Sequence, residues 1–265
     1  MGVVDEIILN KKEIIKKEKD KKSLFEIKKE AEDKVSTIDN SFRFLEEFKK
    51  NDYTKIIAEF KPASPSKGHI SSVKVEDVMN VYNQVNVDMI SCLTEESYFK
   101  SNLSNLKKAV DSTDKPVLRK DFVIDEYMVY EAAIAGASCI LLISDVCPDM
   151  EKYMGIANDL GLDTLVECHS KEEIEAANDL NAPIIGINNR DLSNFTIDFN
   201  KTKDLGQYVK SYLVSESGVN TVEDGRLLQS YGADGLLIGT ALLRNKSIDE
   251  TKEFVYSLNK GLNRC

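Results

Sequence analysis

The stretch Lys55-Ile56-Ile57-Ala58-Glu59-Phe60-Lys61-Pro62-Ala63-Ser64-Pro65-Ser66-Lys67-Gly68 decides the fold. It opens as a short apolar run and closes on charge, Pro and Ser, the pattern of a buried strand entering a turn. Seven further runs follow at intervals of 20 to 33 residues: Asp88–Leu93, Pro116–Lys120, Ser138–Ile143, Asp163–Cys168, Pro183–Ile187, Ser211–Ser215 and Asp234–Ile238. That interval is the span of one strand and one helix. The spacers carry helix-like amphipathic patterns, for example Val75–Gln84, Asp125–Ala135 and Ser170–Asn178. Eight such units predict an α/β chain folded as a (β/α)8 barrel. An open doubly wound sheet is the competitor. It usually carries a glycine-rich first turn, and none follows Phe60.

Upstream, residues 1 to 50 are rich in Lys, Glu, Ile and Leu and contain no Pro. They read as one or two amphipathic helices, with Leu9, Ile14, Ile15, Leu24, Phe25 and Ile27 as candidate buried positions and the lysines as a solvated face. The chain is therefore read as a single barrel domain over 1–265 with residues 1–50 as a helical extension. A length of 265 residues with 42% hydrophobic and 30% charged residues fits one such domain.

Composition excludes several functions. The net charge is −10, with +1 over residues 1–50 and −11 over the rest, which argues against a nucleic-acid binder. No apolar run reaches 18 residues, so no membrane helix is expected, and the amino terminus lacks secretory features. Cys92, Cys139, Cys147, Cys168 and Cys265 form no CxxC pair, and His69 and His169 are the only histidines. The expectations are reduced thiols, a cytoplasmic location, a monomer, and neither a metal site nor a cofactor.

In a barrel of this kind the chemistry lies where strands end. Period two turns Glu59 and Lys61 to one side, as a substrate-holding pair or as a structural ion pair. Lys120 ends the third run and should point inward with Leu118, leaving Arg119 toward the helices. Partial loss of solvation there would bring an ammonium toward a useful acid pKa; an ordinary surface lysine is the plainer alternative. Glu167 ends an apolar run, a place that repels a carboxylate without a partner, and Lys120 could be that partner. Asn188 offers a donor and an acceptor, and Arg190 a fork for a carboxylate; a turn with a surface arginine is the alternative. Ser217-Gly218 and Gly239-Thr240 follow the last two runs. Bare backbone N–H groups beside glycines there form a phosphate cup. The strand ends together predict proton-transfer chemistry on a small phosphorylated, carboxylated molecule.

These residues also resemble a known family. Ile57-Ala58-Glu59-Phe60-Lys61-Pro62-Ala63-Ser64-Pro65-Ser66-Lys67-Gly68, Pro116-Val117-Leu118-Arg119-Lys120-Asp121-Phe122, Leu165-Val166-Glu167, Ile185-Gly186-Ile187-Asn188-Asn189-Arg190-Asp191-Leu192, Val214-Ser215-Glu216-Ser217-Gly218 and Leu237-Ile238-Gly239 are similar, in order and spacing, to the motifs of indole-3-glycerol phosphate synthases. The resemblance covers residues 40–245 well and the amino-terminal helices loosely. It implies a barrel whose extension packs near the mouth, and cofactor-free closure of an indole ring with loss of CO2 and water. It implies Lys120 as general acid for closure and Glu167 as acid/base of the later steps. Glu59 and Asn188 become supporting groups, and Lys61 a substrate-binding lysine and acid in dehydration. Ser64, Arg190 and Glu216 would bind substrate polar groups; Phe99, Phe122 and Leu192 would enclose the aromatic ring; Ser217, Gly218, Gly239 and Thr240 would hold phosphate. Ser101 stands where the family often has Gly, Asn86-Val87 where it has Gly-Ala, and Thr240 where Ser or Glu is common. A sibling isomerase barrel acting on phosphoribosylanthranilate would want a cysteine at the end of the first strand. A non-catalytic barrel would have lost these lysines and glutamates.

Overall fold

The computed structural model describes residues 2–37, 41–65, 68–70, 73–191, 194–243 and 247–263. Eight parallel strands close into a barrel: β1 (Lys55–Phe60), β2 (Met89–Leu93), β3 (Val117–Lys120), β4 (Cys139–Ile143), β5 (Asp163–Cys168), β6 (Ile184–Asn188), β7 (Tyr212–Glu216) and β8 (Gly235–Ile238). Each matches its sequence-predicted run to within one residue at either end. The ring closes where β1 pairs with β8, with Lys55 opposite Gly235 and Ala58 opposite Ile238.

Alternation along the strands builds two apolar layers. Ile57, Met89, Leu118, Cys139, Leu141, Leu165, Ile184, Val214 and Leu237 belong to the cluster that fills the barrel. Their neighbours Ile56, Ala58, Ile90, Ile140, Leu142, Leu236 and Ile238 belong to the cluster beneath the helices. Continuing the inward series past each apolar run brings Glu59, Lys120, Glu167, Asn188 and Glu216 to the carboxyl-end mouth, because the side-chain period is two.

Three helices precede the barrel, against one or two expected: α1 (Val3–Lys21), α2 (Leu24–Val35) and α3 (Arg43–Lys49). Phe44 and Phe48 of α3 plug the amino-end opening, with Phe48 stacked on Tyr212 at 5.0 Å. Among the barrel helices, α4 (Val75–Asn83), α5 (Leu103–Asp111) and α6 (Tyr127–Ala135) follow β1 to β3. The α6 helix is apolar nearly all round because α2 covers the face that would otherwise meet water. Of the predicted buried extension residues, Ile15 and Ile27 are buried and Ile14 and Leu24 half-buried, but Leu9 is 48% and Phe25 76% exposed. The buried stripe of α1 is instead Ile7, Lys11 and Ile15, four residues apart. The lysine face is therefore not wholly solvated: Lys11 is buried.

Candidate active site

The mouth is a cavity of about 330 Å³ lined by residues at the carboxyl ends of all eight strands and in the loops that follow them. Glu59, Glu167 and Glu216 point into it and are 1–2% exposed. Lys120 lies between them: its Nζ donates to Glu216 and is 3.4 Å from Glu167 Oε2. Asn188 Nδ2 donates to the other Glu167 oxygen at 3.2 Å. Lys61 donates to Glu59. Arg119 turns outward, as the alternation predicts, and donates to Met128 O at 2.7 Å and Glu131 at 3.1 Å.

The expected direction of the Lys120 shift is corrected. Burial alone would lower its pKa, but Glu216, Glu167 and Glu59 outweigh burial and hold it above the ordinary lysine value. The free site therefore keeps a proton on this ammonium at any working pH. The carboxylates split. Burial pushes Glu216 up to about 7, helped by repulsion from Glu167 and Glu59 against the pull of Lys120. Glu167 moves the other way: burial would raise it, but Lys120, His169 and the Asn188 hydrogen bond hold it below the usual carboxylate range. Two neighbouring carboxylates pushed apart in this way are suited to different proton roles. Among the described residues, Glu216 Oε1 has no hydrogen-bond partner.

The ends of the last two strands, read from the sequence as a phosphate cup, have the following geometry. Ser217 and Gly218 both have positive φ, 66° and 103°. Gly218 also lies against Phe199 and Ile197, where a β-carbon would overlap a ring. Among the described residues, the backbone N–H groups of Gly218 and Gly239 have no main-chain partner. The role of Gly239 differs from the expectation that it only bares backbone. A β-carbon there would run into the Glu59 carboxylate, so this glycine makes room for a catalytic candidate. We therefore expect Gly239→Val to lower kcat by about 10²-fold through displacement of Glu59, besides weakening phosphate affinity. Steady-state kinetics with inorganic phosphate as competitor would separate the two, and an unchanged kcat would return the glycine to the phosphate role alone.

The remaining predicted residues divide by place. Ser64 lies in a two-residue hairpin, Ala63–Ser64 against Gly68–His69, on the cavity wall. The rings of Phe99 and Phe122 meet at 6.5 Å and 40° on another wall. Arg190 is half-buried; its backbone N–H donates to Asn188 Oδ1 at 3.0 Å and its guanidinium to Phe195 O at 3.2 Å. Burial lowers its pKa somewhat against the attraction of Glu59. Thr240 lines the cup and starts the short helix Thr240–Leu243. Leu192 lies outside the described residues, as do Ser66, Lys67 and Cys265.

Three supporting residues escaped the sequence reading. Glu95 is buried just after β2 and accepts backbone N–H groups of Ser97, Tyr98 and Phe99 at 2.7–2.9 Å, which fixes the loop bearing Phe99. The rule applied to Glu167, an acid after an apolar run, would have found it. Asn189 is fully buried and ties β6 to β7 through Ser215 Oγ at 2.9 Å and Glu216 O at 3.1 Å. Asp121, next to Lys120, accepts from Lys11 of α1 at 3.0 Å and from Thr94 at 2.5 Å, and faces Arg119 at 3.4 Å. Its only sequence signal is a lysine on the apolar stripe of α1.

Comparison with known proteins agrees with this geometry. Residues 4–255 match the family described as indole-3-glycerol phosphate synthase. The indole-3-glycerol phosphate synthase of Clostridium kluyveri is 40% identical over 254 residues, covering 91% of this chain and 97% of its own. That of Leuconostoc mesenteroides is 43% identical, covering 84% and 87%. That of Methanothermobacter marburgensis is 37% identical, covering 100% and 96%. Among solved structures, a thiamine phosphate pyrophosphorylase from Pyrococcus furiosus aligns with a TM-score of 0.61 at 16% identity, covering 81% of this chain and 97% of its own, and shares the fold. The family match over nearly the whole chain and these identities establish that the chain belongs to the indole-3-glycerol phosphate synthase family.

Proposed function

We propose that the barrel mouth closes, decarboxylates and dehydrates 1-(2-carboxyphenylamino)-1-deoxyribulose 5-phosphate to indole-3-glycerol phosphate. The observation that carries the assignment is the Lys120 ammonium held between the Glu167 and Glu216 carboxylates, in a cavity that also holds an aromatic wall and, among the described residues, backbone N–H groups with no main-chain partner.

Phosphate lies against Ser217, Gly218, Gly239 and Thr240, and the anthranilate ring against Phe99 and Phe122. Holding the ends folds the chain so that the ring carbon bearing the carboxylate approaches the ketone. Lys120 protonates the ketone oxygen as that carbon–carbon bond forms. CO2 then leaves and its bonding electrons restore the benzene ring. Dehydration follows: Lys61, held by Glu59, protonates the departing hydroxyl, and Glu167 takes a proton from the adjacent CH2 carbon, giving the indole double bond. Two protons are delivered and one removed, so each turnover takes up one proton, the one that balances the lost carboxylate. Asn188 keeps Glu167 oriented; Arg190, Ser64 and Glu216 hold the polar groups of the substrate. No step calls for a cofactor or metal. The barrel and the 1–50 extension act as one catalytic unit, a monomer in the cytoplasm. The absence of any helix long and apolar enough to cross a membrane among the described residues, and four unbridged cysteines, accord with that location.

Incubation with the carboxyphenylamino substrate while following indole fluorescence tests the activity directly; no fluorescence gain with saturating substrate would remove it. Glu167→Gln should keep the fold and lower kcat by about 10²-fold or more. The readouts are turnover and thermal midpoint together. Unchanged turnover with a lower midpoint would make Glu167 a purely structural partner of Lys120.

A further inference from the structure

Glu167 gains a proton in each turnover under the reading above, on which this inference rests, and it is 2% exposed. Lys120, 3.4 Å away, is half-buried with its side chain 15% exposed, and it is held by Glu216. A second neighbour of Glu167 reaches further into water, on the outer side of the rim. His169 follows β5 at the rim, its side chain 27% exposed, and its Nε2 is 3.5 Å from Glu167 Oε1. On its other side the same nitrogen faces Asp145 Oδ1 at 3.9 Å, on a side chain that is 62% exposed. The backbone N–H of His169 donates to Glu173 Oε2 at 2.7 Å, which anchors the residue at the rim. The charged groups around Glu167 and the imidazole are thus Lys120 from β3, Asp145 after β4, Glu173 from the helix after β5, and Glu216 from β7.

We propose that His169 is the proton port of this site: a relay that carries the proton gained by Glu167 out to solvent and resets the carboxylate for the next turnover. The step is a proton transfer only; Lys120 and Lys61 draw their two protons back from solvent, which leaves the net uptake at one per turnover. The Glu167 O–H bond breaks as an imidazole N–H bond forms, and the resulting imidazolium releases a proton to water or buffer. An imidazole has two ring nitrogens, so it can take a proton at one and give one up from the other.

The test is His169→Gln in the full chain, assayed by indole fluorescence in single and multiple turnover at low buffer concentration. A relay acts only between turnovers. The first turnover should therefore keep its rate, steady-state kcat should fall about tenfold, less than the 10²–10⁴-fold of a direct acid–base group, and KM should hold. Added imidazole should restore kcat in a concentration-dependent way. A structural role would slow the first turnover equally and leave imidazole without effect, and that result would overturn the proposal. So would an unchanged kcat, which would mean that Lys120 resets Glu167 directly. Glu167→Gln distinguishes failure of the underlying reading, because it should slow the first turnover itself. A normal first turnover there would discard the role of Glu167 rather than that of its port.

Discussion

Lys120→Met is expected to lower turnover by about 10²–10⁴-fold, the range for removal of a general acid, while inorganic phosphate still inhibits residual activity with its original constant. The two effects separate because the groups do. Lys120 ends β3 among Glu59, Glu167 and Glu216, whereas the proposed phosphate cup of Ser217, Gly218, Gly239 and Thr240 follows β7 and β8. Removing the ammonium also takes away the charge that draws Glu167 and Glu216 down. Their proton affinity should rise, so the variant should take up protons near neutral pH that the parent does not. Single-turnover fluorescence, phosphate inhibition and a proton titration together check this. Near-normal turnover would exclude Lys120 from ring closure.

The largest effect on stability is expected from Lys11→Met. Lys11 and Asp121 form an ion pair with side chains only 6% and 0% exposed, and Asp121 also faces Arg119 and Thr94. Removing Lys11 leaves Asp121 still facing Arg119 and Thr94, so the cost should lie toward the low end of the about 3–5 kcal/mol for breaking a buried pair. The Lys11→Met/Asp121→Asn double variant should recover a good part of that, because no uncompensated charge remains. Denaturant unfolding of the parent, both single variants and the double variant measures the coupling. The sign of the pH dependence follows from Asp121. Burial would raise its carboxyl, but Lys11, Arg119 and Thr94 hold it below the usual range. A depressed carboxyl stabilises above its unfolded value, about 3.9, and that contribution fades as pH falls through the folded value. The gap between parent and Lys11→Met should therefore be full at pH 7 and narrow in acid. A gap that widens in acid would assign the stabilisation to packing of the lysine stem.

The barrel was legible because its signals are local. A strand buried on both faces must be an apolar run, and eight runs at one spacing leave few topologies. The inward placement of Glu59, Lys120 and Glu167 follows from period two alone. What escaped the sequence depends on partners far along the chain. Phe25 and Leu9 look like core residues by type, yet α1 and α2 pack on the mouth loops and on α6, and those partners choose which face is buried. Lys11 reads as a solvated lysine until Asp121, 110 residues later, is placed beside it. The rise in the pKa of Lys120 was missed for the same reason: burial is visible from position, but the three opposing carboxylates come from three other strands. Gly239 was read as bare backbone for an anion, and the crowding that a side chain would meet there comes from Glu59 on β1, which the local sequence does not show.

The closure of the ring between β1 and β8 has a consequence for how the chain is made. Lys55–Ala58 must wait for Gly235–Ile238 before that edge is paired. At roughly 5–20 residues per second, the delay on the ribosome is roughly ten to forty seconds. For that interval the nascent protein holds an open parallel sheet, with one unpaired edge at β1 and another at the newest strand. Such edges are templates for pairing with a neighbouring chain. Polysomes crowded with this message would thus be exposed to association between half-made copies, and a chain cut short before Gly235 would keep its open edge permanently, with no β8 to close the ring.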